Sequence, residues 1–226
     1  MKKLFLLGFA IVNIISLCAQ KISRVTLSTM GQTEMITINS ADNAVINLSP
    51  TGQIINYGTE YFSERVQNYS RVEPYTGRIE LYTDRDDKAF VGKLRYLGGL
   101  AITYFASYED ESLRGKVKKV GTINITYYMP FDNQAENGKI KSIGNNAVLY
   151  YSSFDNKDLQ GKLKSFGGTS ISFYNSFDDK AFSGKIKSIG ANSFTYYPSF
   201  DRQAPGAMKA GSNMQNLIGG INYIIR

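Results

Sequence analysis

A Gly-Lys pair recurs at Gly92-Lys93, Gly115-Lys116, Gly138-Lys139, Gly161-Lys162 and Gly184-Lys185, each step being 23 residues with no insertion. A fixed period of this length means one supersecondary unit stacked on copies of itself, which constrains the fold more than any other feature. Other columns keep step. An aliphatic follows the pair at Leu94, Val117, Ile140, Leu163 and Ile186. A cation comes next, at Arg95, Lys118, Lys141, Lys164 and Lys187. A second apolar column holds Leu97, Val120, Ile143, Phe166 and Ile189, and a glycine closes the segment at Gly98, Gly121, Gly144, Gly167 and Gly190. Two adjacent aromatic columns follow: Tyr104, Tyr127, Tyr150, Phe173 and Tyr196, then Phe105, Tyr128, Tyr151, Tyr174 and Tyr197. A third holds Tyr108, Phe131, Phe154, Phe177 and Phe200, trailed by an acid at Glu109, Asp132, Asp155, Asp178 and Asp201. The register frays where Ala207-Met208 replaces the next Gly-Lys. Upstream, Gly52-Gln53-Ile54 and Gly77-Arg78-Ile79 are degenerate relatives at irregular spacing. Atypical ends suit a stack, whose end units must face water.

Each unit reads as β structure. Runs such as Ile102-Thr103-Tyr104-Phe105 and Val148-Leu149-Tyr150-Tyr151 are β-branched and aromatic, and no helical period persists. Gly144-Asn145-Asn146 and Gly190-Ala191-Asn192 are tight-turn material. The three-residue step from Ile140 to Ile143 breaks alternation, which a bulge near Ser142 or burial on both faces would explain. The fold class expected is therefore all-β, an array of 23-residue β-hairpins forming an extended antiparallel meander. Each hairpin would advance the sheet by about 9.6 Å; the alternative, a β-solenoid with one coil per unit, advances by about 4.8 Å. An outer-membrane barrel fits less well, because the strands are short for the roughly 9–11 residues required. The expected organisation is a signal peptide over 1–19, an N-terminal β segment or cap over 20–76, the array over 77–209 and a C-terminal cap strand within 210–226.

The start of the chain points to export. Lys2 and Lys3 precede an apolar stretch over 4–15 and a short region ending Ser16-Leu17-Cys18-Ala19. This is the order of a secretory signal, too short to span a bilayer, with cleavage expected near Ala19. A lipoprotein site at Cys18 is the less favoured alternative, because Leu17 occupies the place of a small residue. Periplasm, outer-membrane surface and extracellular space are all open destinations. Loss of Cys18 leaves no thiol, and the chain has no histidine, so disulfides, thiol chemistry and histidine-based catalysis are excluded. Taking Lys2 and Lys3 from the 26 Lys+Arg leaves 24 cations against 19 acids, a net charge of +5. No transmembrane helix is expected in the remaining chain.

The G-K-I-K-S-I-G unit at 138–144, with the Y-Y that follows, resembles a family of exported bacterial repeat proteins of unknown function over roughly 77–209. That resemblance implies export and β repeats and supplies no activity. The period is also similar to that of MORN hairpins. Their Trp and paired G-x-G pattern are missing here, so MORN is an architectural analogue only.

Three sets of residues could carry function. Lys93, Lys116, Lys139, Lys162 and Lys185, with Arg95, Lys118, Lys141, Lys164 and Lys187, would form a basic stripe suited to an anionic envelope polysaccharide or lipopolysaccharide; the competing reading is a solvated sheet face. Tyr128, Tyr151, Tyr174 and Tyr197 could stack on sugar rings if exposed, whereas the Tyr150 column reads as core. The acid column is thin for calcium and reads better as turn capping and pairing with nearby lysines. No metal, cofactor or nucleic-acid partner is expected. Because the acids repeat evenly, none stands out as a catalytic pair. The chain is therefore read as a non-enzymatic exported scaffold or interaction protein of the cell envelope. Its partner would be an envelope glycan or protein, and the alternative is a multivalent binder of anionic glycan or lipopolysaccharide.

Overall fold

The structure, a computed structural model, describes residues 20–40, 42–62, 70–209 and 214–226. The expected signal peptide, its cleavage region and Cys18 lie outside the described residues. Among the described residues there are strands and turns and no helix.

The array is a hairpin meander. A lead-in strand, β6 (Ile79–Leu81), is followed by the pairs β7 (Leu94–Leu97) and β8 (Leu100–Tyr104), β9 (Val117–Val120) and β10 (Ile123–Tyr127), and β11 (Ile140–Ile143) and β12 (Asn146–Tyr150). Then come β13 (Leu163–Phe166) with β14 (Thr169–Phe173), and β15 (Ile186–Ile189) with the short β16 (Asn192–Ser193). All eleven strands lie side by side in sequence order in one open sheet. Every unit thus adds two antiparallel strands, which rules out a one-coil-per-unit solenoid. The turns follow from the glycine column. Gly98, Gly121, Gly144 and Gly190 take φ between 55° and 57° at the first central position, the II′ pattern that asks for glycine there.

The broken alternation is a bulge. Thr126 pairs with Ser142 and Tyr127 with Ile140, so Lys141 has no opposite number. The same skip falls at Arg95, Lys118, Lys164 and Lys187. A bulge resets the pleat by one residue, so Ile140 and Ile143 both face inward despite their odd spacing.

A second sheet covers the inner face. It is built from β1 (Lys21–Leu27), β2 (Thr33–Asn39), β3 (Ala44–Leu48), β4 (Ile54–Phe62) and β5 (Ser70–Glu73), with β17 (Gln215–Ile218) and β18 (Ile221–Ile225) from the other end of the chain. β18 runs parallel to β1, so the segments flanking the array meet in one seven-stranded sheet. Val25, Leu27, Ile36, Ile46, Leu48 and Tyr223 from this sheet share one apolar core with Leu97, Ile102, Val120, Ile143, Phe166 and Ile189 of the array. Its turns dock on array backbone: Val117 N–H donates to the Gly52 carbonyl at 3.0 Å and Ile140 N–H to that of Pro50 at 2.8 Å. Gly52 is obligatory at that contact, since a Cβ there would lie 1.9 Å from the Tyr127 hydroxyl. Tyr223 Oη closes the interface by donating to the Phe166 carbonyl at 3.1 Å.

Candidate functional site

The two cation columns have different surroundings. In the first, each ammonium reaches forward to the next unit. Lys116 Nζ donates to the Gly138 carbonyl at 2.7 Å, Lys139 to that of Gly161 and Lys162 to that of Gly184, both at 2.6 Å. Lys93 and Lys185 do the same toward Gly115 and Gly206. Each also lies over an aromatic ring, Lys139 Nζ being 4.9 Å from the centre of Tyr150. Burial lowers the pKa of all five lysines. The Gly-Lys pair is therefore a clamp. The glycine adopts a left-handed conformation, φ +74° at Gly161, and its carbonyl takes the lysine of the unit before. Gly206 keeps that role at the frayed end, where the Gly-Lys pair itself is gone.

The second column sits on the bulges and reaches back to the preceding strand. Lys118, Lys141, Lys164 and Lys187 lie over Phe105, Tyr128, Tyr151 and Tyr174 at 5.0–5.3 Å, and Arg95 over Tyr82 at 5.4 Å. Four of these cations also approach an acid: Arg95 to Asp86 at 4.0 Å, Lys118 to Glu109 at 2.7 Å, Lys141 to Asp132 at 3.9 Å and Lys164 to Asp155 at 3.7 Å. A free basic stripe of both columns is not what the fold presents. One column is engaged with backbone carbonyls, and the other is exposed but mostly paired with acids of the preceding unit.

The Tyr128 column is not an exposed ladder either. Tyr128 is buried, and Tyr151 and Tyr174 are half-buried against the core. Their hydroxyls donate to the Val148, Ile171 and Phe194 carbonyls of the following hairpin at 2.9–3.1 Å. Their rings meet Tyr150, Phe173 and Tyr196 edge to face at 5.8–6.0 Å. Tyr197 lies under the Lys209 ammonium at 5.6 Å. These rings link one unit to the next through edge-to-face contacts and hydroxyl bonds.

The third aromatic column stands fully outside. Tyr108, Phe131, Phe154, Phe177 and Phe200 are 82–95 % exposed, the most exposed large apolar side chains among the described residues. Each sits third in a β-turn. The backbone N–H of the following acid returns to the first residue of the turn, as Asp132 to Met129 at 2.9 Å and Asp155 to Ser152 at 3.2 Å. In four of the five turns the acid's carboxylate also accepts the first residue's N–H: Glu109 from Ala106, Asp132 from Met129, Asp155 from Ser152 and Asp178 from Asn175. The Lys118 ammonium and then the Ala106 N–H hold the Glu109 carboxyl below the usual carboxylate range, and the Ser152 hydroxyl and then its N–H do the same for Asp155. Neighbouring loops are stitched together where Asn133 accepts from Ser153 and Asp179 from Ser199. The rings are thus displayed by fixed backbone.

Nothing in the sequence assigns this column a site. The available signal was an aromatic kept through five copies of a polar loop in which no strand pattern calls for one. Elsewhere, an open cleft of about 500 Å³ between Thr122, Asn145 and Gly219 has Lys21 as its one titratable lining residue and offers no acid–base pair. No family model, curated protein or solved structure matches the chain.

Proposed function

We propose that the protein is an exported, non-enzymatic scaffold or interaction protein of the bacterial cell envelope, acting through surface groups repeated once per hairpin. The observation that carries this reading is the exposed aromatic column, five rings in the same turn at the same register. A binding surface gains from such repetition, because each added contact is made at high effective concentration. A catalytic centre needs one unique constellation, and the acids here recur evenly and close turns. The geometry weighs against an anionic ligand, since the exposed cations are mostly matched by acids of the preceding unit.

The test is saturable binding of the labelled chain, without residues 1–19, to isolated envelope fractions, with loop aromatics removed one unit at a time. Stepwise weakening with each unit supports the reading. Complete loss on altering any one unit would replace it with a single-site protein. Fractionation of cells producing the full chain, with determination of the N-terminal residue, tests export separately.

A further inference from the structure

We propose that Tyr108, Phe131, Phe154, Phe177 and Phe200 form a track for an extended, uncharged, β-linked polysaccharide, each ring stacking on one sugar face. The proposal rests on the reading of the array as a repetitive binding surface and names its ligand.

Three observations converge. The first is presentation. Among the described residues none of the five rings contacts another ring, and none is covered. Their turns are closed by backbone and carboxylate bonds, so little order remains to be imposed on binding.

The second is pitch. The aromatics recur once per hairpin in a continuous antiparallel sheet, so neighbouring turns are about 9.6 Å apart. That is about the length of one disaccharide in an extended β-linked chain. In such a chain alternate sugars are flipped, and the same face returns with every disaccharide. A row of rings at this pitch meets an equivalent face at each step.

The third is charge. The five loops over 106–114, 129–137, 152–160, 175–183 and 198–206 together hold ten acids and four cations, and pairing Glu109, Asp132 and Asp155 with Lys118, Lys141 and Lys164 still leaves seven acids against those four. An acidic rim repels anionic polymers and anionic bilayers, which basic segments recruit. Exposed carboxylates on the rim, such as Glu111 and Asp158, can accept from sugar hydroxyls. The rings are also separated by polar loop, whereas a protein partner or bilayer calls for a contiguous apolar patch.

The experiment compares the chain without residues 1–19 with Phe131→Ser, Phe154→Ser, Phe177→Ser and the triple variant. Thermal melts confirm that each is folded. The probes are cello- and chito-oligosaccharides of increasing length, read by calorimetry. Malto-oligosaccharides serve as a coiled control, and neutral and anionic phospholipid vesicles as the membrane arm. The expected result is affinity for a β-linked probe that rises with chain length. Each single substitution should weaken it about three- to tenfold, and the triple variant should abolish it. Binding that the triple variant retains would overturn the track. Equal affinity for the coiled control would overturn the pitch argument. Rim-dependent binding to vesicles, or rim-dependent self-association in sedimentation, would replace the glycan with a membrane or a second copy. If no glycan binds while envelope binding persists and is lost in the triple variant, the ligand is overturned and the repetitive-surface reading stands. If envelope binding also survives in the triple variant, both fall.

Discussion

Lys139 and Phe154 recur with equal fidelity, one per unit, yet the inner surface and the loop rim they belong to are physical opposites. On the inner surface every repeated group touches the next unit. The Lys139 ammonium meets the Gly161 carbonyl, the Tyr128 hydroxyl meets that of Val148, and Ile143 and Phe166 fill one core with the covering sheet. On the rim, Phe154 is 95 % exposed and its neighbours repeat that exposure. Periodicity on the inside is required by stacking alone, since each unit must satisfy the same neighbours. Periodicity on the outside has no such cause. The proposed binding role rests on this exposed column.

The sharpest way to break the inner surface is alkaline pH. Burial raises the phenol pKa of Tyr104, Tyr127 and Tyr150, and that of Tyr196 to about 12. An unfolded phenol ionises near 10 while the folded one stays neutral. The stability these groups contribute is therefore complete below pH 10 and drains away as pH rises toward the folded values. The clamp lysines oppose this, because their lowered folded pKa makes stability rise with pH up to about 10.5. They are only partly desolvated, so the tyrosines dominate above that point. Cooperative unfolding between about pH 10 and 12, followed by circular dichroism, is the expected outcome. Next in size is Phe166→Ala, a large deletion where the two sheets meet, which should cost about 3–5 kcal/mol in urea titrations.

The clamp comes next. Gly161→Ala puts a Cβ 2.6 Å from Lys139 Nζ at φ +74°, and should cost about 1–3 kcal/mol. Lys139→Met keeps the stem but strands the Gly161 carbonyl, and should cost about 1–2 kcal/mol. A double-mutant cycle between the two sites should show strong coupling, because each single change removes the same contact.

Much of this inner surface was legible in the chain. The 23-residue step and the Gly-Asn turns pointed to hairpins, while the step from Ile140 to Ile143 left a bulge near Ser142 and burial on both faces open; the pairing places the bulge at Lys141. The assignment of the lysines was not legible. Alternation places Lys139 and Lys141 on a common face. It does not reveal that one ammonium reaches forward to a carbonyl and the other back to a carboxylate. A long apolar stem lets lysine line an interior while its head finds a polar partner at a distance, so sequence alone reads it as surface. The covering sheet was hidden for another reason. β1 and β18 pair across almost the whole chain, and no local pattern encodes that meeting. The rim was visible as a column, but exposure is a tertiary property, and its aromatics looked no different from those that pack.

The smallest effects separate the two regions most cleanly. Lys141→Ala removes a half-exposed cation that contacts Tyr128 and pairs loosely with Asp132, and should cost no more than about 1 kcal/mol. Phe154→Ser should change stability by less than about 0.5 kcal/mol, because the turn is closed by Asp155 and backbone whatever its third residue is. Serine tolerates that turn, so no backbone penalty intervenes. Urea midpoints of the two variants measured side by side give the comparison directly. An unchanged midpoint for Phe154→Ser leaves the ring with no structural role, as the proposed track expects. A loss of 2 kcal/mol or more, about the size expected for the clamp, would mean that the rim rings pack on one another or on a neighbour in solution. The distinction between the two surfaces would then disappear.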